Sequence, residues 1–273
     1  MTQKNLSTGQ SNFTLALHQH VPTPTDLETS IDRVRQAASE ASARHAQLLL
    51  VPEASITGYN IPLPRAQSIA LNRDGAIATE LKLIARDHKI ALAYGYIERD
   101  GDSLFNSVQV IDACGVPISH YRKTHLWGDL DRKLFDAGDS MAPMFELDGW
   151  QLGLLICYDI EFPETVRHLA LAGCNLLLTP TALMAPWAFV AEHVIRVRAA
   201  ENQLYIAYAN YCGSENDIDY VGRSCIVGPD GEDMARASTE PALLVSTLSR
   251  DTIKDIRQKV PYLQDRRSDI YHI

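Results

Sequence analysis

Three residue types that could carry out acyl chemistry stand in three separate segments: a thiol, a carboxylate and an ammonium. The thiol is Cys157 in "GWQLGLLICYDIEFPE", where an apolar run gives way to acids and a proline. Here "QLGLLI" reads as a buried strand, and Pro163 with Glu161 and Glu164 as the first turn of a helix ending near Gly173. Cys157 then lies between strand end and helix start, among backbone N–H groups that lack helical partners. The positive end of that helix would point toward the sulfur and favour thiolate, the reactive form. By itself a cysteine is first a small buried hydrophobe. A thiolate attacking an acyl group also needs a proton acceptor and a means of holding the oxyanion.

The acceptor is offered by Glu53 in "VPEASITGYN", which follows an apolar strand in what reads as the counterpart of the Cys157 position. A carboxylate desolvated there would have a pKa suited to general base work, whereas the plain alternative is a solvated or helix-capping acid. Lys123 follows the strand "VPISHY" and opens "KTHLWGDLDRKLFDAGD". It could hold an oxyanion, though a lysine at a strand end is ordinarily solvated.

These residues need elements to position them. From Phe13 onward, strand-like and helix-like pieces alternate, the pattern of an α/β fold. "FTLALHQH" reads as a strand, Thr25 or Asp26 caps a helix to about His45, and "AQLLLVP" is a short buried strand. A helix over residues 75–88 and the strands "KIALAYGYIE" and "NSVQVIDA" follow. The second half repeats this grammar: "AQLLLVPEA" resembles "CNLLLTPTA", "IALAYGY" resembles "LYIAYANY", and "VIDACGVP" resembles "IVGPDGED", in the same order. Two similar α-β-β-α halves would account for this, packed through their sheets into one domain over residues 13–273. "WAFVAEHVIRVRAAEN" has helical spacing with one apolar face.

Composition removes other classes. The chain of 273 residues has 25 Lys plus Arg against 34 Asp plus Glu, a net charge of -9, so nucleic acid and anionic membrane are poor partners. Residues 1–12 read as a disordered polar tail, and no apolar run reaches the roughly 18 residues of a membrane span. The five cysteines form no CxxC pair, which favours reduced thiols in the cytoplasm. His18 and His20 share a strand face but lack an evident third ligand, so no metal is expected. "GPDG" at 228–231 lacks the GK[ST] of a phosphate loop and reads as a β-turn.

Taken together, "PEASITGY" around Glu53, "YRKTHL" around Lys123 and "ICYDIEFPE" around Cys157 resemble the motifs of the nitrilase superfamily of carbon–nitrogen hydrolases, and the likeness runs from Phe13 to Tyr271. It implies a four-layer α-β-β-α sandwich of two mixed sheets with pseudo-symmetric halves, and chemistry that uses no cofactor. It implies Cys157 as nucleophile, Glu53 as general base and acid, and Lys123 with the backbone N–H of Tyr158 as oxyanion donors. "CYDIEFPE" is similar to the amidase branches, where true nitrilases usually carry Trp-Glu after the cysteine. "GYNIPL" and "ENQLYIAYANYCG" add to that likeness. The implied substrate is a small linear aliphatic amide, foremost 5-aminopentanamide.

Many members also carry a second, orienting glutamate. Counting back from the "AGD" turn places Asp131 there, with Asp129 as the other candidate. Members often have Asn after the "PTA" turn, where this chain has Leu183. Tyr59, Phe162 and Trp187 are candidate pocket walls, and Glu161, Asp129 and Glu192 are candidate acids for a substrate ammonium group. The resemblance further implies a homodimer or larger homo-oligomer built on the helix after Cys157, the helix over residues 187–202 and a tail of about 15 C-terminal residues. Rival readings are an N-carbamoyl-amine hydrolase, an ω-amidase of dicarboxylate monoamides, a papain-like Cys-His pair, and a non-catalytic scaffold of the same fold.

Overall fold

The central strands are nearly continuous apolar runs whose residues face the two sides by turns, so both faces of each sheet are covered. The computed structural model describes residues 11–23, 26–141 and 143–271. The first half runs β1 (Asn12–Gln19), α1 (Leu27–Ala43), β2 (Leu48–Leu50), α2 (Leu63–Ile69), α3 (Ala76–His88), β3 (Ala91–Asp100), β4 (Ser103–Ile111) and β5 (Pro117–Arg122). The second half begins with α4 (Gly128–Leu134), β6 (Met144–Leu147), β7 (Trp150–Leu154), α5 (Pro163–Leu171), β8 (Leu176–Pro180) and α6 (Ile195–Asn202). It continues through β9 (Tyr205–Ala209), β10 (Cys212–Glu215), β11 (Ile218–Val221), β12 (Cys225–Val227) and β13 (Asp233–Arg236). The chain then adds β14 (Ala242–Ser249), α7 (Arg250–Lys259) and α8 (Tyr262–Asp265).

Two six-stranded mixed sheets result, ordered β14-β1-β2-β3-β4-β5 and β6-β7-β8-β9-β12-β13, with β10 and β11 as a separate hairpin. Period-two alternation decides which side each residue covers. Leu15, Leu17, Leu48 and Leu50 meet Leu152, Leu154, Leu176 and Leu178 in the core between the sheets, while Ala16 and Leu49 face outward onto α1 and α3. Helices α5 and α6 cover the outer face of the second sheet with Val166, Leu169, Ile195 and Ala199. The architecture is therefore the four-layer α-β-β-α sandwich. Trp150, fully buried against Phe13 at 5.6 Å and Tyr205 at 6.0 Å, ties the sheets together, and burying so large a ring contributes on the order of 2–3 kcal/mol.

The halves match strand for strand. Leu15 pairs with Leu48 in parallel register just as Leu152 pairs with Leu176, and β3 and β9 each add a parallel neighbour. Counted forward along these strands, the mate of Cys157 is His20 and the mate of Glu53 is Thr181. Glu53 is therefore not the counterpart of Cys157, because it follows the second strand of its half and Cys157 follows the first.

The remaining differences are local. The first strand begins at Asn12, one residue inside the expected tail; residues 1–10 lie outside those described. Asp26 caps α1 by accepting from Thr29 N. A 3-10 turn, Cys157–Glu161, stands between β7 and α5, so the N-terminus of α5 does not abut the cysteine. The final strand, β14, pairs antiparallel with β1 and completes the first sheet from the far end of the chain.

Candidate active site

Each charged group of the site is set by a close backbone approach. Glu53 follows β2 on a turn that packs against Gly95 of β3; a Cβ there would lie 2.4 Å from Ala54 N and 2.9 Å from Pro52 O, so only glycine admits the turn. Lys123 follows edge strand β5, where Lys123 N donates to Asn106 O at 2.8 Å and Gly138 N donates to Lys123 O at 2.8 Å. A Cβ on Gly138 would lie 2.4 Å from Arg122 O, so this approach also requires glycine. Cys157 has φ +47, a left-handed conformation that a non-glycine residue adopts at a cost of about 1–3 kcal/mol. That strain is held by Asp159, whose buried carboxylate accepts from Ile156 N at 3.0 Å, Tyr121 OH at 3.0 Å and His125 N at 2.9 Å. One acid thereby fastens the cysteine turn to the lysine segment.

The three segments converge. Lys123 Nζ lies 2.7 Å from Glu53 Oε1 and 2.7 Å from Asp131 Oδ2, all three side chains being fully buried. Asn106 Nδ2 donates to the same Glu53 oxygen at 2.6 Å, while Glu53 Oε2 is buried with no hydrogen-bond partner among the described residues. Asp131 also accepts from Tyr59 OH and from Trp127 N, both at 2.8 Å, so each of its oxygens has a donor despite its short side chain.

Burial raises the Glu53 pKa above the ordinary carboxylate range; the Lys123 charge opposes that rise and the Asp131 charge adds to it. Burial alone would lower the Lys123 pKa, but the charges of Asp131 and Glu53 hold it well above the ordinary value. Burial and the Glu53 charge push the Cys157 thiol up, partly offset by Lys123, the Thr181 hydroxyl and Ala182 N–H. The resting sulfur is therefore a thiol, on which the charges of Glu53 and Lys123 act in opposite directions.

Cys157 opens into a cavity of about 190 Å³ lined by Trp127, Tyr158, Glu161, Leu183, Trp187 and Phe189 among others. Among the described residues Glu161 is the one charged group in this lining, and Arg198 fixes its backbone through Glu161 O at 2.7 Å.

Other expected residues lie elsewhere. Asp129 sits in the first turn of α4 with its side chain 85% exposed and pairs with Lys133, so it neither orients Lys123 nor reaches the cavity. Glu192 is bound to Arg223 at 3.1 Å and does not line the cavity. Tyr59 lies beneath Lys123, with its ring centre 5.7 Å from Nζ, and Phe162 stacks on His125 at 4.1 Å and edges Tyr158. Neither is among the described residues that line the cavity.

Sequence reasoning passed over Asn106, Asp159, Thr181 and Glu215. Glu215 holds the turn after Glu53 by accepting from Asn60 N at 2.8 Å and Tyr220 OH at 2.6 Å. The available signal was a polar residue inside an otherwise apolar stretch, as in "FNSVQV" and "CYDIEF".

Residues 14–258 match the model of a single protein family, described as carbon-nitrogen hydrolase. The chain belongs to the carbon-nitrogen hydrolase family. It is thus an amidohydrolase by class, with the fold of the nitrilase superfamily. This carbon-nitrogen hydrolase is 48% identical to a protein of Pseudomonas protegens named "hydrolase in pqqF 5'region", over 96% of this chain and 92% of that one. It is 32% identical to the 2-oxoglutaramate amidase of Bacillus subtilis, over 85% and 89% of the two chains. A mutant of the amidase from Nesterenkonia sp. AN1, solved in complex with acrylamide, superposes with a TM-score of 0.86 at 34% identity, over 97% of this chain and 98% of that one. Another structure of that enzyme shows Michael addition of acrylamide at its active site cysteine. No described helix of the carbon-nitrogen hydrolase is long and apolar enough to cross a membrane.

Proposed function

We propose that the chain is a cysteine-dependent amidase that converts a small linear amide to a carboxylate and ammonia, with 5-aminopentanamide as the preferred substrate. The observation that carries the chemistry is the division of labour at Glu53: Oε1 is held by Lys123 and Asn106, while Oε2 is buried and has no partner among the described residues. A carboxylate so fixed, with its affinity for protons raised by burial, is suited to take the thiol proton as Cys157 attacks the amide carbonyl. The ammonium of Lys123 and the N–H of Tyr158, the second residue of the 3-10 turn and so without an intrahelical acceptor, then receive the oxyanion. Glu53 returns the proton to the leaving ammonia, forming a thioester. Water, deprotonated by the same carboxylate, cleaves the thioester and frees the thiol. Asp131 keeps Lys123 charged and in place.

The substrate preference rests on the lining of the cavity. A carboxylate among Trp127, Tyr158, Trp187 and Phe189 suits an ammonium tail, whereas a dicarboxylate monoamide would need a cation that this lining does not offer. Self-association is supported by exposed Leu171, Val197, Tyr262 and Ile270 on or beside α5, α6 and the C-terminal segment. The deciding experiment follows ammonia release across 5-aminopentanamide, pentanamide, glutaramate and N-carbamoyl amines. Faster turnover of 5-aminopentanamide is expected; faster turnover of glutaramate would overturn the substrate, and carbon dioxide release from a preferred carbamoyl compound would overturn the reaction.

A further inference from the structure

Glu215 ends β10 and is 1% exposed, yet the donors that reach its carboxylate are neutral. Tyr59 N donates to Oε1 at 3.3 Å, Asn60 N to Oε2 at 2.8 Å and Tyr220 OH to Oε2 at 2.6 Å. A carboxylate buried without a counter-ion is costly, and here hydrogen bonds alone offset that cost. The two backbone donors belong to the turn that follows Glu53, which the hairpin grips a second time, since Asn60 Nδ2 donates to Glu215 O at 3.0 Å. The other strand, β11, holds the cavity wall: Val221 N donates to Leu183 O at 3.1 Å, and Asp219 O accepts from Ala185 N at 2.9 Å. Leu183 lines the cavity, so the β10–β11 hairpin reaches from the turn behind the base to the wall of the substrate site.

Tyr59 carries this contact inward. Its N–H is held by Glu215, its hydroxyl donates to Asp131 Oδ1 at 2.8 Å, and its ring centre lies 5.7 Å from Lys123 Nζ. Asp131 Oδ2 is in turn 2.7 Å from that ammonium. We infer that Glu215 is a positioning residue for Lys123, acting through the backbone N–H and hydroxyl of Tyr59 and then through Asp131. The role rests on the reading of Lys123 as an oxyanion donor. Every residue in this relay is at most 1% exposed, and interiors so closely packed pass a displacement on instead of absorbing it. An oxyanion donor has to be held within about 0.5 Å of its working position. The carbonyl oxygen gains its charge only as the thiol attacks, so a misplaced Lys123 lowers kcat and leaves KM nearly unchanged. The donors opposite Glu215 also explain why a carboxylate stands there: the N–H groups of two adjacent residues each meet one of its oxygens. An amide has a single acceptor oxygen and would turn its NH2 toward the other N–H.

The test is a double-mutant cycle of Glu215→Gln, which keeps the shape and loses one acceptor, with Tyr59→Phe, which keeps the backbone N–H and removes only the hydroxyl. Wild type, both single variants and the double variant are measured for kcat and KM on 5-aminopentanamide and on pentanamide. Each single variant should lose about 10-fold in kcat on both amides, with KM within about threefold of wild type, as expected for one hydrogen bond lost from a buried network. The double variant should lose little more than Tyr59→Phe alone, because the hydroxyl through which Glu215 acts is already gone. An unchanged kcat in Glu215→Gln, a loss carried by KM, or losses that multiply in the double variant would overturn the inference. Should Glu215→Gln fail to fold, Glu215→Asp, whose shorter side chain cannot reach both N–H groups, enters the cycle with the same expectations. Lys123→Met is run alongside: turnover near wild type in that variant would remove the assignment of Lys123 itself, whereas an inactive Lys123→Met with losses that multiply in the cycle would remove only the role of Glu215.

Discussion

Lys123 Nζ lies 2.7 Å from Glu53 Oε1, an ion pair with both partners fully buried between two sheets. A buried pair is seldom a net source of stability, since desolvating two charges costs several kcal/mol that their attraction only roughly offsets. Its place in this fold follows from what it leaves open. The lysine occupies one oxygen of Glu53 and leaves the other without a partner among the described residues, which is the oxygen the proposed mechanism uses. Asp131 on the far side of Lys123 supplies the second negative charge that keeps the ammonium protonated.

Removing the base while keeping its shape tests that arrangement. Glu53→Gln should lower kcat by about 100- to 10,000-fold, the usual worth of a positioned general base, with an unchanged far-ultraviolet circular dichroism spectrum. Activity within about threefold of wild type would show that the thiol loses its proton elsewhere.

The pH dependence has a definite sign. In the proposed mechanism Glu53 must be ionised to act, and burial raises its pKa, so kcat/KM should fall on the acid side through an apparent pKa above the ordinary carboxylate value of about 4.3. Asn106 favours the ionised form by donating to Oε1. In Asn106→Ala the acid limb should therefore move to higher pH, and a limb that moves lower would contradict this account of the carboxylate.

Glu161, which lines the cavity, is proposed to set its charge preference. Glu161→Gln should raise KM for 5-aminopentanamide roughly 10- to 100-fold, as expected for the loss of a charge-assisted contact, and leave pentanamide turnover nearly unchanged. Equal effects on both substrates would mean that Glu161 shapes the turn without contacting an ammonium group.

Acid sensitivity should arise on the opposite half of the sandwich, at the mate of Cys157. Burial, with Arg33 nearby, pushes His18 down to about 4, and burial, His18 and Arg33 push His20 well below its ordinary value. Both rings are therefore neutral when folded. The unfolded chain binds more protons between pH 6.5 and about 4, so the unfolding free energy should decline as pH drops through that window. The difference between 6.5 for a free His18 ring and about 4 for the folded one corresponds to about 3 kcal/mol of that decline. His18→Asn should flatten the decline in urea unfolding measured from pH 7 to pH 4; an unchanged slope would place the acid sensitivity elsewhere.

Much of this was legible in the sequence because apolar strands with period two fix both the sheets and which side faces in. Leu48 and Leu50 inside with Leu49 outside is a pattern that any register slip would reverse. Glu53, Lys123 and Cys157 were legible as charged or reactive groups placed directly beyond such strands. Asp159 and Asn106 were harder to read, since their effect depends on which backbone N–H or carboxylate stands opposite them, and that is set by long-range packing. Asp129 and Asp131, two residues apart on one short helix, look alike in sequence, but they point to opposite sides, one to solvent and one to Lys123. The pairing of β14 with β1 joins residues more than two hundred positions apart, and no local pattern announces it.

Central to the proposed mechanism is a thioester at Cys157 whose hydrolysis depends on Glu53. The most direct measurement is mass spectrometry of peptides after a brief acid quench of the wild-type enzyme turning over 5-aminopentanamide. The account predicts an acyl mass increment on the peptide carrying Cys157, cleared by hydroxylamine and absent in Cys157→Ala. Ammonia release by Cys157→Ala at the wild-type rate, or an acyl increment on another residue, would contradict it.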